Sequence, residues 1–182
     1  MVDNENSFSA WLSRVGLEEI PELSFNAKLL DGDTREWFSS QYNAHGPMQP
    51  SQIAVLARQR LREVAERALA LVSDDIRATN RTGPRFEIGE HGSALYVNIA
   101  NGSEWYISDH MLSILSSDGM AVQMAEFVQD YLLEYSGEAW PVCLEHDRLI
   151  MANLEPSSPS WKCTANGHLV GAIGALQATK VR

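Results

Sequence analysis

Trp140-Pro141-Val142-Cys143-Leu144-Glu145-His146, followed by Trp161-Lys162-Cys163-Thr164-Ala165-Asn166-Gly167-His168, contains both cysteines and two of the five histidines of the 182-residue chain. The four are spaced C-x2-H-x16-C-x4-H. Two short ligand pairs joined by a segment of hairpin length is the arrangement of a zinc ribbon. Zinc takes thiolate and imidazole donors tetrahedrally, and four protein ligands close its coordination sphere, which marks a structural site. The expected metal ligands are therefore Cys143, His146, Cys163 and His168, and the expected cofactor is zinc. The competing expectation is a buried cysteine at each hairpin end with two surface histidines. Arg148 to Ala152 is expected as a first strand, Asn153 to Pro159 as a loop, and Ser160-Trp161-Lys162 as the returning strand. Asn166-Gly167 turns the chain, and Leu169, Val170 and Ile173 continue as a third strand. Trp140 and Trp161 are expected to pack around the metal, with a role as partner anchors as the alternative if they are exposed.

Upstream of this tail, Met120, Met124, Phe127, Val128, Tyr131, Leu132 and Tyr135 form one helical stripe, starting at Asp118 or Gly119 and stopped by Gly137. Before it lies a meander of three strands. Phe86 and Ile88 alternate with charged neighbours, and His91-Gly92 makes a turn. Leu95, Val97 and Ile99 line one face of a second strand, and Asn101-Gly102 is a strong hairpin signal. The third strand, Ser103 to Ile107, is expected to bury Trp105 and Ile107. Asp109-His110 reads as a loop with a capping aspartate and a surface histidine. The longest helix opens at Ser51 as N-cap, carries Ile53, Leu56, Ala57, Leu61, Val64, Ala68, Leu71, Val72 and Ile76, and runs to about Thr79. A sheet with one apolar face needs a cover, and this helix supplies it.

At the amino terminus, residues 1 to 7 read as polar and disordered. Ser7 or Ser9 would cap a short helix carrying Phe8, Trp11, Leu12 and Val15, ended by Gly16, with a turn over Leu17 to Pro21. Residues 22 to 50 show no sustained period, and Trp37 and Phe38 are expected to pack back on the domain. The fold class is thus α+β, in three stretches: an extension over 1–50, an α-βββ-α domain over 51–137, and a small zinc-ribbon-like β-hairpin module over 138–182.

Fourteen Lys and Arg against 24 Asp and Glu give a net charge of −10. Nucleic-acid affinity comes largely from neutralising phosphates with Lys and Arg. The densest basic stretch, Arg58, Arg60, Arg62 and Arg67, is interrupted by Glu63 and Glu66, so it reads as a solvated helix face and not as a phosphate site. A protein partner suits the charge better, met through Asp118, Glu126, Asp130, Glu134, Glu138, Glu145 and Asp147. Apolar runs are far shorter than the roughly 20 residues a bilayer needs, and the first residues lack the basic start and apolar run of a secretory signal. The expected location is the cytoplasm, where thiols stay reduced and free for metal.

The order α-βββ-α is similar to that of double-stranded-RNA-binding domains, whose second helix begins with lysines meeting phosphates. Here that position reads Ser116-Ser117-Asp118-Gly119, so the likeness is topological. From Ala121 to Leu176 the chain resembles a group of small uncharacterised bacterial proteins whose tails read Trp-Pro-x-Cys-Pro-x-His, Trp-x-Cys-Pro and Ile-Gly-x-Leu. This sequence has Trp140-Pro141-Val142-Cys143-Leu144-Glu145-His146, Trp161-Lys162-Cys163 and Ile173-Gly174-Ala175-Leu176, with Leu144 and Thr164 where those tails have proline. The resemblance implies a zinc-ribbon-like tail and brings no activity with it. The residues support three functions: a non-catalytic binding or adaptor protein with a structural zinc site, a zinc-dependent hydrolase or other metalloenzyme, and an acidic mimic or inhibitor of nucleic-acid binding. No H-E-x-x-H, G-x-S-x-G or deaminase motif occurs, so the chain leans away from catalysis.

Overall fold

The computed structural model describes residues 2–15, 32–79, 83–92, 94–101, 104–137, 139–155 and 158–177. Helices α1 (Val2–Val15), α2 (Gly32–His45) and α3 (Pro50–Ala78) precede strands β1 (Arg85–His91), β2 (Ala94–Asn101) and β3 (Glu104–Leu112). Helix α4 (Ser117–Ser136) then leads to β4 (Val142–Cys143), β5 (Arg148–Leu154), β6 (Pro159–Cys163) and β7 (Leu169–Ala172). The strands form two antiparallel sheets of order β1-β2-β3 and β4-β5-β6-β7. The fold is α+β, as the patterning indicates.

Helix α3 is the spine. Its cap is Gln49 and not Ser51: Gln49 N–H donates to Gln52 Oε1 at 3.0 Å, and Pro50 occupies the first helical position. Proline loses nothing there, because that N–H would have no helical partner and its φ is preset. One face buries Ile53, Ala57, Leu61, Val64, Ala68 and Val72, as the period requires, while Leu71 is largely outside the core. Helix α4 packs beside α3 and buries Met120, Met124, Val128 and Leu132. Ser116 caps it, its Oγ accepting from Gly119 N–H at 3.1 Å, and Gly137 ends it in the left-handed conformation at φ 66°. Tyr135, at the far end of the expected stripe, is exposed.

The meander buries Leu95, Val97 and Ile99. Trp105 and Ile107, however, are 53% and 54% exposed, opposite to expectation. The pairing explains it. Ala100 stands opposite Trp105 and Asn98 opposite Ile107, and directly opposed residues share a face. Asn98 and Ala100 alternate with the buried Val97 and Ile99, so their partners turn outward. Strand β3 also runs past Ile107. Ser108 to His110 stand against Val97 alone, and this bulge brings Leu112 opposite Leu95 and into the core. Asp109 and His110 therefore lie within a bulged strand and not on a loop. The turn at Gly102 lies outside the described residues.

Two expectations at the amino terminus change. The polar start is helical from Val2. Once Phe8, Trp11, Leu12 and Val15 dock, extending the helix backwards adds about one hydrogen bond for each residue fixed. The stretch read as aperiodic contains α2, which buries only Thr34 and Phe38, too few to produce a period. Phe38 packs inward as expected, edge-on to Trp11 at 6.2 Å, and Trp11 Nε1–H donates to Met48 O at 2.8 Å. Gly16 and the turn expected over Leu17 to Pro21 lie outside the described residues.

Buried residues from all three stretches belong to one apolar core. Leu61, 1% exposed, sits on the α3 face turned into that core. Leu61→Ala should cost about 2–5 kcal/mol of unfolding free energy. An unchanged urea midpoint would show that this face is not the buried one.

Candidate metal centre

Cys143, His146, Cys163 and His168 converge. Their donor atoms all lie within 4.8 Å of one another, and the group could hold a metal ion. His146 Nδ1 is 3.6 Å from Cys143 Sγ and 3.7 Å from Cys163 Sγ, and His168 Nε2 is 3.7 Å from Cys143 Sγ. With Zn–S of about 2.3 Å and Zn–N of about 2.05 Å, a tetrahedral angle puts sulfur and nitrogen roughly 3.6 Å apart. These three sulfur–nitrogen separations match that edge length.

Two knuckles of one design hold the donors. In the first, Asp147 N–H donates to Cys143 O at 2.9 Å, and Asp147 takes a left-handed φ of 52°. In the second, Gly167 N–H donates to Cys163 O at 2.8 Å, with φ 75°. Each cysteine thus starts a turn that closes four residues later on a left-handed residue. His146 comes just before that residue and His168 just after its counterpart, which accounts for the unequal x2 and x4 spacings. Asn166 Oδ1 accepts from His168 N–H at 3.1 Å and lies 2.6 Å from His168 Nδ1. That contact fixes the ring with Nε2 toward the sulfurs, the usual support for a metal-bound histidine.

The Cys143 sulfur is prepared to be a thiolate, the form that binds metal. Burial raises the Cys143 pKa, but the His146 side chain, the backbone N–H groups of His146 and Glu145, and Cys163 outweigh it, and the value falls from 9.0 to about 7. Ala165 N–H lies 3.4 Å from Cys163 Sγ in a donating position.

The sheet that carries these knuckles is fastened to the helices by buried polar groups, and Asp75 is the chief one. Asp75 is fully buried near the end of α3. Its Oδ2 accepts from Trp161 Nε1–H and from Gly174 N–H, both at 2.7 Å, and its Oδ1 accepts from Leu176 N–H at 2.8 Å. One turn on, Thr79 Oγ1 accepts from Trp140 Nε1–H at 2.9 Å. Trp140 and Trp161 meet edge-on at 5.7 Å and are buried, so neither is a surface anchor. From α4, Gln129 Nε2 donates to Trp140 O at 3.1 Å and Ile150 O at 2.6 Å.

The Ile173-Gly174-Ala175-Leu176 segment has a geometric role here. Ile173 is not in β7, which ends at Ala172, but it is buried. Gly174 has φ 89°, and a Cβ there would come within 2.6 Å of Leu71 Cδ2 and 3.3 Å of Leu71 Cα. Only glycine brings its N–H that close to α3.

Asp75, Thr79, Gln129 and Gly174 do not stand out in the sequence as functional residues. One signal is present: Asp75 falls in step with Leu61, Val64, Ala68 and Val72, so a carboxylate occupies a core position of an apolar stripe. Of the carboxylates expected to form an acidic face, Asp118, Glu126, Asp130, Glu134, Glu145 and Asp147 are exposed, and Glu138 lies outside the described residues. No protein-family model, curated protein or solved structure matches the chain.

Burial pushes the Asp75 carboxyl above its ordinary 3.8; the Gly174, Leu176 and Trp161 donors pull it back in part, and Asp74 adds a small upward push. A raised value in the fold means that this carboxyl's stabilisation is fully present below the unfolded-state pKa and declines as pH rises through the folded one. Asp75→Ala should cost about 3 kcal/mol or more, because one buried and two partly buried N–H groups lose their acceptor. The penalty should be largest at acid pH and shrink as pH rises from the ordinary carboxylate range through the raised value. Denaturant unfolding of both proteins across that range checks it; a penalty that grows with pH would contradict the assignment.

Proposed function

We propose that the chain is a non-catalytic protein-binding or adaptor protein whose C-terminal sheet, a zinc-ribbon-like module, is held by a structural zinc ion. The observation that carries this is the closed Cys2His2 set with tetrahedral separations. Four protein donors leave no coordination position for a substrate or an activated water, which a catalytic zinc keeps open. The tail likeness to small bacterial proteins with the same Trp-Pro-x-Cys and Ile-Gly-x-Leu pattern fits a structural role, since both tryptophans and Gly174 bond to helix α3 and its C-cap. In a reducing compartment such as the cytoplasm both thiols remain available for metal.

The surface favours a protein over nucleic acid. The basic stretch on α3 is taken up by carboxylates: Arg60 pairs with Asp33 at 3.0 Å, and Arg62 with Glu90 at 3.1 Å and Glu66 at 3.7 Å. Among the described residues no helix is long and apolar enough to cross a membrane. An acidic nucleic-acid mimic is a second reading, because Glu126, Asp130 and Glu134 lie along one groove. That row covers only about 12 Å at 1.5 Å per helical residue, and tyrosines share the groove with it. A basic protein segment suits such a lining better than the basic face of a nucleic-acid-binding protein.

The purified protein should carry close to one equivalent of zinc by elemental analysis. Cys143→Ser should lose the metal and loosen the C-terminal sheet, since a structural site contributes its binding energy to folding. Stoichiometric zinc in the Cys143→Ser, Cys163→Ser double variant would exclude this ligand set. Water-proton relaxation of cobalt-substituted protein should show no exchangeable metal-bound water; finding one would turn the reading to a metalloenzyme.

A further inference from the structure

A groove of about 420 Å³ opens between the inner face of β3 and helix α4. Along its helical wall stand Glu126, Asp130 and Glu134, four residues apart and so on one ridge. Tyr131 and Tyr135 stack with ring centroids 4.4 Å apart, and Tyr106 of β3 lies 6.3 Å from Tyr135. Among the described residues nothing balances the negative charge of this wall. Helix α4 contains no Lys, Arg or His, and among the described residues no cation pairs with these three carboxylates. Burial, and then the Asp130 charge, hold the Glu126 carboxyl above its ordinary 4.5.

The spacing suggests what would complement this wall. Successive carboxylates are about 6 Å apart along the helix axis, close to the roughly 6.6–6.8 Å between alternate residues of an extended chain. Aromatic faces beside them attract cationic side chains and accept apolar ones.

We propose that this groove binds an extended segment of a partner protein, with Lys or Arg at alternate positions facing Glu126, Asp130 and Glu134 and the aliphatic stems of those cations lying against the tyrosines beside them. The proposal rests on the reading of the chain as a binding protein and gives that reading a surface. Charge complementarity supplies register and encounter rate, and salt weakens both.

The test is fluorescence anisotropy of the zinc-loaded full chain with a labelled Lys-Leu-Lys-Tyr-Lys-Leu peptide at low salt. The peptide should bind several-fold more tightly than Lys-Lys-Lys-Leu-Tyr-Leu, which has the same composition without the alternation. The triple variant Glu126→Gln, Asp130→Asn, Glu134→Gln should weaken binding about tenfold or more. Tyr135→Ala should weaken it about threefold or more, with zinc content and circular dichroism confirming that each variant is folded. Removing three charges elsewhere, by Glu36→Gln, Glu63→Gln and Glu66→Gln, should change affinity less than about twofold. Equal binding of the two peptides, equal losses in the two triple variants, or displacement by spermine as effective as by unlabelled peptide would each overturn the groove assignment. None of these results would touch the adaptor reading, which stands or falls on the metal-bound water.

Discussion

The carboxyl group of Asp75 joins the two halves of this fold. Its two oxygens accept three N–H groups, one from β6 and two from the segment after β7, while its backbone belongs to the spine helix. Burying a carboxyl is costly unless its oxygens are satisfied. Among the described residues the satisfaction comes from β6 and the segment after β7, so α3 has its end properly bonded when the C-terminal sheet is docked. The converse also holds. Trp161, fully buried two residues before the candidate ligand Cys163, is oriented by Asp75, and Trp140, three residues before the candidate ligand Cys143, is oriented by Thr79 one turn beyond Asp75. Both knuckles therefore grow from indoles pinned to the same helix end.

That arrangement assigns separate tasks to separate groups. The helix end positions the sheet, the left-handed residues Asp147 and Gly167 bend the knuckles, and Asn166 orients one imidazole. A metal ion at the four donors would lock turns already shaped to present them. The lowered Cys143 pKa has the same origin, since the groups that would surround an ion also favour the thiolate. Chemistry at such a site is restricted by its closure. The acidic, tyrosine-lined groove at α4 and β3 belongs to another part of the structure, so the proposed binding surface lies apart from the candidate metal centre.

Much of this was legible in the sequence because it is periodic or spaced. The apolar stripes of α3 and α4, the inward face of β2 and the C-x2-H and C-x4-H pairs each repeat at a distance set by backbone geometry. What escaped was set by pairing or by single contacts. Trp105 and Ile107 have the composition of core residues, yet a two-strand register and a bulge in β3 turn them to solvent. Helix α2 fully buries only Thr34 and Phe38, and two buried positions leave no period to read. The polar start of α1 is helical because the apolar turns after it are docked, not because of its own residues. Asp75 was visible only as an anomaly, a charge on an apolar stripe whose donors lie 86 to 101 residues away.

The central claim is that the C-terminal sheet is clipped by a tetrahedral ion bound to two cysteines and two histidines. X-ray absorption at the zinc edge of the purified protein tests it most directly. The account predicts a four-coordinate shell of two sulfurs at about 2.3 Å and two imidazole nitrogens at about 2.0–2.1 Å. A shell of five or six oxygen and nitrogen atoms, or one with a single sulfur, would contradict it.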